Sequence, residues 1–392
     1  MYFAFSPGLK MTEAATGPGE ADQTRAGNIS RRKENFIALR RVATLPAQSS
    51  WPGQTNARPA GRNSRLPSLP RRSLGEGGTA FHKVGCDYSA KGPLNLTTQQ
   101  KIRLGACAWS FDEWRGSFYP ADLPQGRWLE FYARYFPAVE IDSTFYSAPG
   151  EATVRRWVEH TPAAFRFACK LPREITHVRR LRDCGAELAA FLRAIEPLES
   201  KLQVILIQLP PSFAPKDGRQ TLREFLEQLP RDFRFAIEFR HGGWHRPQVI
   251  RLLEKHRVCW VWADTSPLNE RNLAPFEFLP RTADFLYLRL LGDYTTKYDR
   301  DGGRVHRYGK LLWKREAALD SWAIKIERHL AETRSVWTFV NNHFEGFAPE
   351  TCQRIANRLG FELPLPSAEE TASADPGQLD FFAGRDGSPS RP

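Results

Sequence analysis

The sequence contains few cysteines and no pair of them with the Cys-x-x-Cys spacing of a zinc or redox site. There are six in 392 residues, and Cys107, Cys169 and Cys259 lie inside apolar runs. A disulfide framework or a zinc site would need paired spacings. We therefore expect buried free thiols in a reducing compartment.

Long apolar segments are also missing. No run of 18 apolar residues occurs, which argues against a membrane-spanning helix. The N-terminus begins with an apolar stretch, but Pro7, Gly8 and Lys10 interrupt it before the core of a signal peptide can form. The sequence thus predicts a cytoplasmic protein with no membrane partner.

Acidic residues are outnumbered by basic ones over most of the chain, whose formal net charge is +12 at pH 7. Residues 1–100 hold 14 Lys/Arg against 6 Asp/Glu, whereas residues 361–392 hold 2 against 6. A basic body favours anionic partners, namely phosphates, sugar phosphates or nucleic acid. A solvated surface with spare Lys and Arg explains the same excess.

Residues 1–98 have the composition of a disordered basic extension. They are rich in Arg, Ser, Pro and Gly, as in residues 58–75, and their apolar residues follow no period. One interpretation is a basic arm that binds nucleic acid. We favour another, an upstream extension of the reading frame, because nothing in this segment has the pattern of a folding unit.

From Lys101 onward, eight short apolar runs alternate with helical patterns. On the helical faces apolar residues recur every three or four positions, as at Leu319, Trp322 and Ile326. Near-continuous apolar strands that alternate with helices predict a parallel sheet covered on its outer face. The predicted strands are 102–108, 138–141, 165–169, 202–209, 233–239, 258–263, 285–290 and 335–340.

Eight such units in about 260 residues fit an α/β fold of the (β/α)8 TIM-barrel type. The competing fold, a doubly wound open sheet, does not usually need eight regular units. We place the barrel at residues 99–362, between the basic extension and a disordered acidic tail at 363–392. The weakest unit is the sixth, because residues 272–281 contain two prolines and offer little helix.

Nearly every predicted strand ends in a polar or charged side chain. The C-terminal strand ends of a (β/α)8 barrel surround one opening, the mouth, where such folds place their functional sites. Residues 237–245 are the densest stretch of this kind, and they also contain His241 and Trp244. The other residues at strand ends are Trp109, Glu140, Asp142, Lys170, Gln208, Glu238, Arg240, Asp264, Arg289, Asn341, Asn342 and His343.

Several motifs stand at these strand ends. They are Gly105-Ala-Cys-Ala-Trp-Ser, Val139-Glu-Ile-Asp-Ser-Thr-Phe-Tyr146, Ile175-Thr176-His177, Ile207-Gln-Leu-Pro-Pro-Ser-Phe213, Glu238-Phe-Arg-His241 and Phe339-Val-Asn-Asn-His343. In this order, over residues 102–359, they resemble the domain of unknown function 72 (DUF72) family, the YecE-like proteins. The resemblance implies a (β/α)8 barrel and no particular reaction.

The chain departs from the family pattern at two places in the mouth. Family members usually have Arg-x-His-Gly after the seventh strand, where this chain has Arg289-Leu-Leu-Gly292. After Asn-Asn-His the family tends to show Ala-x-x-Asn-Ala, where this chain has Ala348-Pro-Glu-Thr-Cys352. A role for the missing histidine cannot be transferred to this chain.

Three carboxylates, Glu140, Glu238 and Asp264, come from three strands and are expected to converge at the mouth. Carboxylates with different environments serve as general acid and base. They also hold metals, with His241, His177 or His343 in support. In the alternative, Glu238 pairs with Arg240 or Arg289, and Glu140 with Lys170, as structural ion pairs. We predict no cofactor. We also favour a site without a metal over one that binds a divalent metal, since no compact metal-ligand motif is present.

Other residues complete the predicted site. Lys170 either forms a Schiff base or, as we favour, neutralises carboxylates or holds a phosphate. Trp109 and Trp244 are the tryptophans that we place at the pocket. The loop 292–309 interleaves cations with aromatic residues such as Tyr308, which suits a phosphate backbone with stacked bases or a solvated basic loop.

The acidic tail contains a short motif, Gln378-Leu379-Asp380-Phe381-Phe382. It is similar to the peptide by which bacterial proteins dock on the DNA-polymerase sliding clamp, with Phe381 in place of the usual Leu. A disordered segment is a suitable carrier for such a peptide. Because five-residue motifs match easily by chance, a plain tail is the competing interpretation.

Two functions are consistent with these patterns. The first is an enzyme, a hydrolase, lyase or isomerase, that binds a phosphorylated or polyhydroxylated substrate. Lys170, Arg240 and Arg289 would hold the anion, with Glu140, Glu238 and His343 in catalysis and Asn341 and Asn342 orienting hydroxyls. The second is a DNA-associated repair or replication accessory protein that binds nucleic acid at a basic mouth and docks on the sliding clamp.

Overall fold

Eight parallel strands form the centre of the protein in a computed structural model, which describes residues 99–266, 279–293 and 308–372. The strands are β1 Ile102–Ala106, β2 Ala138–Ile141, β3 Arg166–Lys170, β4 Leu202–Gln208, β5 Phe235–Glu238, β6 Cys259–Ser266, β7 Phe285–Asp293 and β8 Ser335–Val340. Each predicted apolar run coincides with one of these strands, so the predicted strands are confirmed.

Helices follow the strands and cover the outside of the sheet. They are α1 Trp128–Tyr135, α2 Glu151–Glu159, α3 Gly185–Ile195, α4 Pro215–Gln228, α5 Pro247–His256, α6 Glu316–Leu330, α7 Ala348–Arg358 and the short α8 Ala368–Ala372. The predicted face of α6 is buried at Leu319, Trp322, Ala323 and Ile326. Most of the sixth unit, residues 267–278, lies outside the described residues.

The strands pair in the order β1-β8-β7-β6-β5-β4-β3-β2, and neighbouring strands in this order run parallel. The two end strands, β1 and β2, lie against each other. The sheet is therefore a nearly closed (β/α)8 barrel, which confirms the predicted fold.

The barrel interior combines small and large side chains. Alternate residues of a strand face opposite sides of a sheet, and the inward set includes Cys107, Ala138, Ala168 and Ala236, with Phe285, Tyr287, Trp337 and Phe339 from β7 and β8. An eight-stranded barrel is just wide enough for side chains to fill. Aromatic rings from one side of the barrel thus occupy the space that the alanines of the other side leave.

The five cysteines in the described ranges are buried and free, as predicted, and Cys86 lies outside those ranges. Within the part of the chain that the structure describes, no helix combines the length and apolar character needed to cross a bilayer. The basic extension 1–98 and residues 373–392 of the acidic tail lie outside the described residues.

Tyr132 on α1 bridges β1 and β2, between which no ladder pairing is found in the described residues. Its hydroxyl accepts a hydrogen bond from the Ala106 amide (2.7 Å) and donates one to the Ala138 carbonyl (3.1 Å). A Cβ on Gly105 would lie 2.0 Å from that carbonyl oxygen. Glycine therefore allows the close approach of the two strands, and the buried phenol supplies the hydrogen bonds that the ladder lacks.

We expect Tyr132→Phe to lower the free energy of unfolding by about 1–3 kcal/mol, because it leaves a buried amide and a buried carbonyl without their partner. Urea denaturation measures the change. The control is Tyr135→Phe, which removes a hydroxyl bonded to the partly exposed Glu370. A loss for Tyr132→Phe no larger than that of the control would contradict the bridging role.

Candidate functional site

The polar side chains of the mouth stand on the same inward-facing positions as the barrel core. Glu140 lies two residues after the inward Ala138, Glu238 two after Ala236, and Arg289 two after Tyr287. The alternation of a strand therefore turns each of them into the barrel. The interior is apolar lower down and becomes charged towards the C-terminal strand ends.

Arg289 lies at the centre of this charged layer and is 1 % exposed. Its Nε lies 3.1 and 3.0 Å from the two carboxylate oxygens of Glu140, and its Nη2 lies 2.6 Å from Oε1. Its Nη1 donates to Glu238 Oε2 at 2.7 Å, and Nη2 lies 3.3 Å from Asp142 Oδ1. One guanidinium thus joins three carboxylates from β2, its following turn and β5. Buried charges are tolerated only when they are paired in this way, because an unpaired buried charge is strongly destabilising.

The two fully buried carboxyls differ in proton affinity. Burial, with the nearby Asp142 carboxylate, raises the pKa of Glu140 even though Arg289 and the Tyr287 hydroxyl (2.5 Å) stabilise its charge. Burial also acts to raise the pKa of Glu238, but Arg240, Arg289 and Lys170 outweigh it and hold that pKa at about 2. Glu238 is therefore firmly ionised, and Glu140 is the carboxyl of the pair that takes up a proton more readily.

Next to Glu140 lies the thiol of Cys107. Burial, followed by the effect of the Glu140 charge, raises the pKa of this thiol well above its ordinary value. A protonated, buried thiol is a poor nucleophile. Cys107 therefore belongs to the packing of the barrel rather than to its chemistry.

A second layer of charges lies nearer the solvent. Arg240 Nε donates to Glu238 Oε1, and Lys170 Nζ lies 3.4 Å from Asp142 Oδ1 and 4.3 Å from the centre of the Phe145 ring. Asp142 and Phe145 bound a 3-10 turn, Asp142–Phe145, after β2. Thr144 fastens this turn to β3, because its hydroxyl accepts from the Lys170 amide (3.1 Å) and donates to the Lys170 carbonyl (2.7 Å).

His177 faces the same group of cations from the loop after β3. It belongs to a single π-helical turn, Glu174–Val178, and its ring lies 4.9 Å from that of Phe145. Burial, and then the charges of Lys170, Arg173 and Arg240, lower the pKa of His177 to about 4. The imidazole is therefore neutral at pH 7 and lies in a positive potential.

The backbone after this turn is strained. Arg180, Leu181 and Asp183 have φ of 52°, 67° and 44°, a region that non-glycine residues rarely adopt. Each such residue costs of order 1–3 kcal/mol, and π-helical turns and strained residues both occur frequently at functional sites. The loop that carries His177 thus has the local features of a functional segment.

Comparison with known proteins supports the same assignment of fold. A family model described as "Protein of unknown function DUF72" matches residues 103–374, more than half of the chain. The chain belongs to the DUF72 family. The resemblance that the motifs indicated is confirmed.

Several relatives of this DUF72 protein show how far the likeness extends. UPF0759 protein YecE of Escherichia coli K12 is 35 % identical over 173 residues, which cover 43 % of this chain and 61 % of YecE, less than two thirds of that relative. UPF0759 protein YunF of Bacillus subtilis is 24 % identical over 297 residues, 72 % of this chain and all of YunF.

Solved structures of DUF72 proteins have the same fold. The one from Thermotoga maritima is 28 % identical, with a TM-score of 0.56 over 66 % of this chain and 98 % of that one. The one from Enterococcus faecalis, at 22 % identity, has a TM-score of 0.53 over 67 % of this chain and 98 % of that one. The second comparison bears on the fold alone.

The expected convergence of Asp264 with Glu140 and Glu238 is wrong. Asp264 lies on the helix side of β6, where its Oδ2 accepts from Trp322 Nε1 of α6 at 2.7 Å. Its Oδ1 lies 3.6 Å from Arg315 Nη1. The residues of β6 that face the barrel interior alternate with Asp264 along the strand and include Val261. Asp264 therefore points away from the interior and connects the sheet to α6 in this DUF72 chain.

The placement of Trp244 at the mouth is also wrong. Its side chain is 1 % exposed, stacks between Phe213 (5.4 Å) and Phe239 (5.1 Å), and donates to the Phe213 carbonyl at 2.6 Å. It lines an outer groove of about 560 Å³ beside α4 and α5. Trp109 follows β1 and packs edge-on against Trp157 of α2 at 5.8 Å.

Of the ion pairs considered from sequence, Glu238 with both Arg240 and Arg289 is found. The pair of Glu140 with Lys170 is not the one formed, since Glu140 binds Arg289 and Lys170 binds Asp142. In the described part of the chain, no group of three or more His, Cys, Asp or Glu side chains could hold a metal ion. The guanidinium of Arg289 lies between the carboxylates that a metal would have joined.

The remaining predicted residues have local structural roles. His241 Nδ1 accepts from the Gly243 amide at 3.0 Å, and the half-buried Gln208 is the ladder neighbour of Glu238. Asn341 Oδ1 accepts from the His343 amide at 3.0 Å. The buried Asn342 uses Oδ1 for the Ala348 amide at the start of α7 (2.9 Å), which is a capping contact.

His343 forms a pair with Tyr308, whose hydroxyl lies 2.7 Å from His343 Nδ1. The loop residues 294–307 and the motif Gln378–Phe382 lie outside the described residues. Sequence reasoning missed Tyr287 and gave His177 only a supporting part. Tyr287 could have been found because it lies two residues before Arg289 and therefore faces the same side of β7. His177 could have been found from the Ile-Thr-His motif that follows Lys170.

Removal of the central guanidinium tests the charged layer. We expect Arg289→Met to lower the free energy of unfolding by about 3–5 kcal/mol, because Glu140 and Glu238 lose a buried partner. The control is Arg155→Met, at an exposed pair with Glu151, where a loss below about 1 kcal/mol is expected. Urea denaturation measures both.

A double variant separates charge from packing. If the loss comes from uncompensated carboxylates, Arg289→Met combined with Glu140→Gln should be more stable than Arg289→Met alone. Equal stability of the two variants, or an Arg289→Met loss as small as that of the control, would contradict the role assigned to the guanidinium.

Proposed function

We propose that the mouth of this DUF72 barrel binds a substrate through a phosphate or similar anionic group, held by Lys170, Arg240 and His177. The supporting observation is the arrangement around Phe145, whose ring lies 4.3 Å from the Lys170 ammonium and 4.9 Å from the His177 ring. Burial, and then the charges of Lys170, Arg173 and Arg240, lower the pKa of His177 to about 4. Cations from β3, from the loop after it and from the loop after β5 meet at this imidazole, and such a cluster of positive charge attracts an anion.

The carboxylates support this proposal by their position. Glu140 and Glu238 have no exposed surface and are bonded to Arg289, so they neutralise a charge inside the barrel. Glu238 also fixes Arg240. We therefore assign Glu140 and Glu238 to positioning the cations, which replaces the acid and base roles expected from sequence.

Two other groups remain for proton transfer. Asp142 has a side chain 30 % exposed and lies beside Lys170. His177 engages Nδ1 with the Thr176 hydroxyl at 2.9 Å, and no hydrogen bond to Nε2 is found in the described residues. We assign general acid–base chemistry to this pair, within a hydrolase, lyase or isomerase that acts next to the bound anion.

An anion bound at the cations should raise the pKa of His177 from about 4, because negative charge favours the imidazolium form. NMR titration of the histidine resonances, with and without inorganic phosphate, measures the shift. Lys170→Met should raise this pKa in the free protein, and the further rise with phosphate should shrink.

Lys255→Met is the matched control, since it removes an exposed lysine at the C-terminal end of α5. It should leave both the pKa of His177 and the phosphate effect unchanged. A His177 resonance that does not respond to phosphate up to millimolar concentration would rule out the anion site.

The second proposal is a DNA-associated protein. It rests on the cations and aromatics of loop 292–309 and on the motif Gln378–Phe382, of which only Tyr308 and the loop ends are described. Tyr308 bonds His343, which follows β8, so the end of this loop lies against the loop after β8. The shared element is a phosphate, here within a nucleic-acid strand.

Binding of short single- and double-stranded DNA over a salt series tests this second proposal. If binding is electrostatic, the affinity for DNA should fall steeply with salt concentration. Neutralising Arg300, Arg304 and Arg307 together should make this dependence on salt less steep. Capture of sliding clamp by the full chain, compared with a chain lacking residues 378–382, tests the tail. Weak binding with a flat slope and no clamp capture would exclude the DNA-associated role.

A further inference from the structure

Two large apolar side chains stand out by their exposure in the described part of the chain. Tyr146 is 81 % exposed and Val178 is 51 % exposed, whereas the other large apolar side chains there are buried or half-buried. A single exposed apolar residue needs no explanation. These two, however, lie on neighbouring loops of the mouth, the first directly after the turn Asp142–Phe145 and the second at the end of the π-helical turn.

Ring contacts connect Tyr146 to the proposed anion site. The Phe145 ring lies 5.2 Å from Tyr146, edge to face at 84°, and 4.9 Å from His177 at 80°. The Lys170 ammonium lies 4.3 Å from the centre of the same Phe145 ring. The Phe145 ring thus lies between Tyr146 and an anion bound at Lys170 and His177, so the exposed Tyr146 ring is separated from that anion by about the width of one ring.

The backbone holds Tyr146 in place. Its amide donates to the Ser143 carbonyl at 3.1 Å, and the Thr144 hydroxyl fastens the turn to both backbone groups of Lys170. An aromatic side chain on a fixed backbone offers a large contact area with only two rotatable bonds to immobilise. The Tyr146 side chain is exposed to solvent, so a flat apolar group that packs on the ring buries apolar area.

We infer that the ligand of this mouth carries a planar aromatic ring next to its anionic group, and that the ring stacks on Tyr146 with Val178 at its edge. The inference rests on the proposed anion site and adds a ligand class to it, the aryl and heteroaryl phosphates. A purely aliphatic phosphate would use the cations alone and leave Tyr146 exposed.

Calorimetric titration of the full chain with three probes tests the inference. Phenylphosphonate carries the anion and a ring, propylphosphonate carries the anion and an aliphatic group, and inorganic phosphate is the anion alone. Stacking is worth about threefold to tenfold in affinity, so phenylphosphonate should bind tighter than propylphosphonate by about this factor. Lys170→Met should weaken all three.

Variants of Tyr146 identify the ring partner. Tyr146→Ala should reduce the affinity for phenylphosphonate to that for propylphosphonate, while Tyr146→Phe keeps the preference because it retains the ring. If Tyr146→Ala weakens inorganic phosphate by the same factor as phenylphosphonate, the residue shapes the turn and the inference is wrong.

The two proposals fail in different ways. Equal affinity of the wild-type protein for all three probes overturns the ring inference and leaves the anion site standing. No binding of any probe overturns the anion site and, with it, the inference about its ligand. A phenylphosphonate preference that survives in Tyr146→Ala places the ring elsewhere and also overturns the inference.

Discussion

The charged interior of this barrel depends on the guanidinium of Arg289. Transfer of a carboxylate from water into a protein interior costs several kcal/mol, and Glu140 and Glu238 are both without exposed surface. Arg289 offsets that cost by bonding both at once from β7, with the Tyr287 hydroxyl as a further donor to Glu140. The relative positions of β2, β5 and β7 at the mouth are therefore tied to one side chain.

This arrangement separates the charges of the mouth by depth. The carboxylates of Glu140 and Glu238 are directed to the interior cation, whereas Lys170, Arg173 and Arg240 act together on His177 nearer the solvent. The proposed anion site therefore lies at the loops after β2 and β3 rather than at the buried carboxylates. Those loops contain a 3-10 turn, a π-helical turn and three strained residues, so their conformation is held by tertiary contacts rather than by local preference.

Much of the fold followed from simple patterns. All eight strands were found from apolar runs, and the buried face of α6 from its period. The errors concern side-chain direction. Strands of a parallel barrel are apolar on both faces. Near Asp264, Trp262 faces outward and Val261 faces inward, and both are apolar. The neighbouring residues therefore do not indicate to which face the Asp264 side chain points. Trp244 was misplaced for a related reason, since the loop after β5 turns it outward to pack between Phe213 and Phe239.

By itself, the sequence determined the class of fold and the set of polar residues at the strand ends, because apolar periodicity is written locally along the chain. Only the tertiary structure decided which of those residues meet. Glu140 bonds Arg289, 149 residues away, rather than Lys170 of the neighbouring strand. The physical reason is that a pairing across a barrel depends on strand register and on the reach of a side chain through the interior, and neither quantity is encoded in sequence spacing.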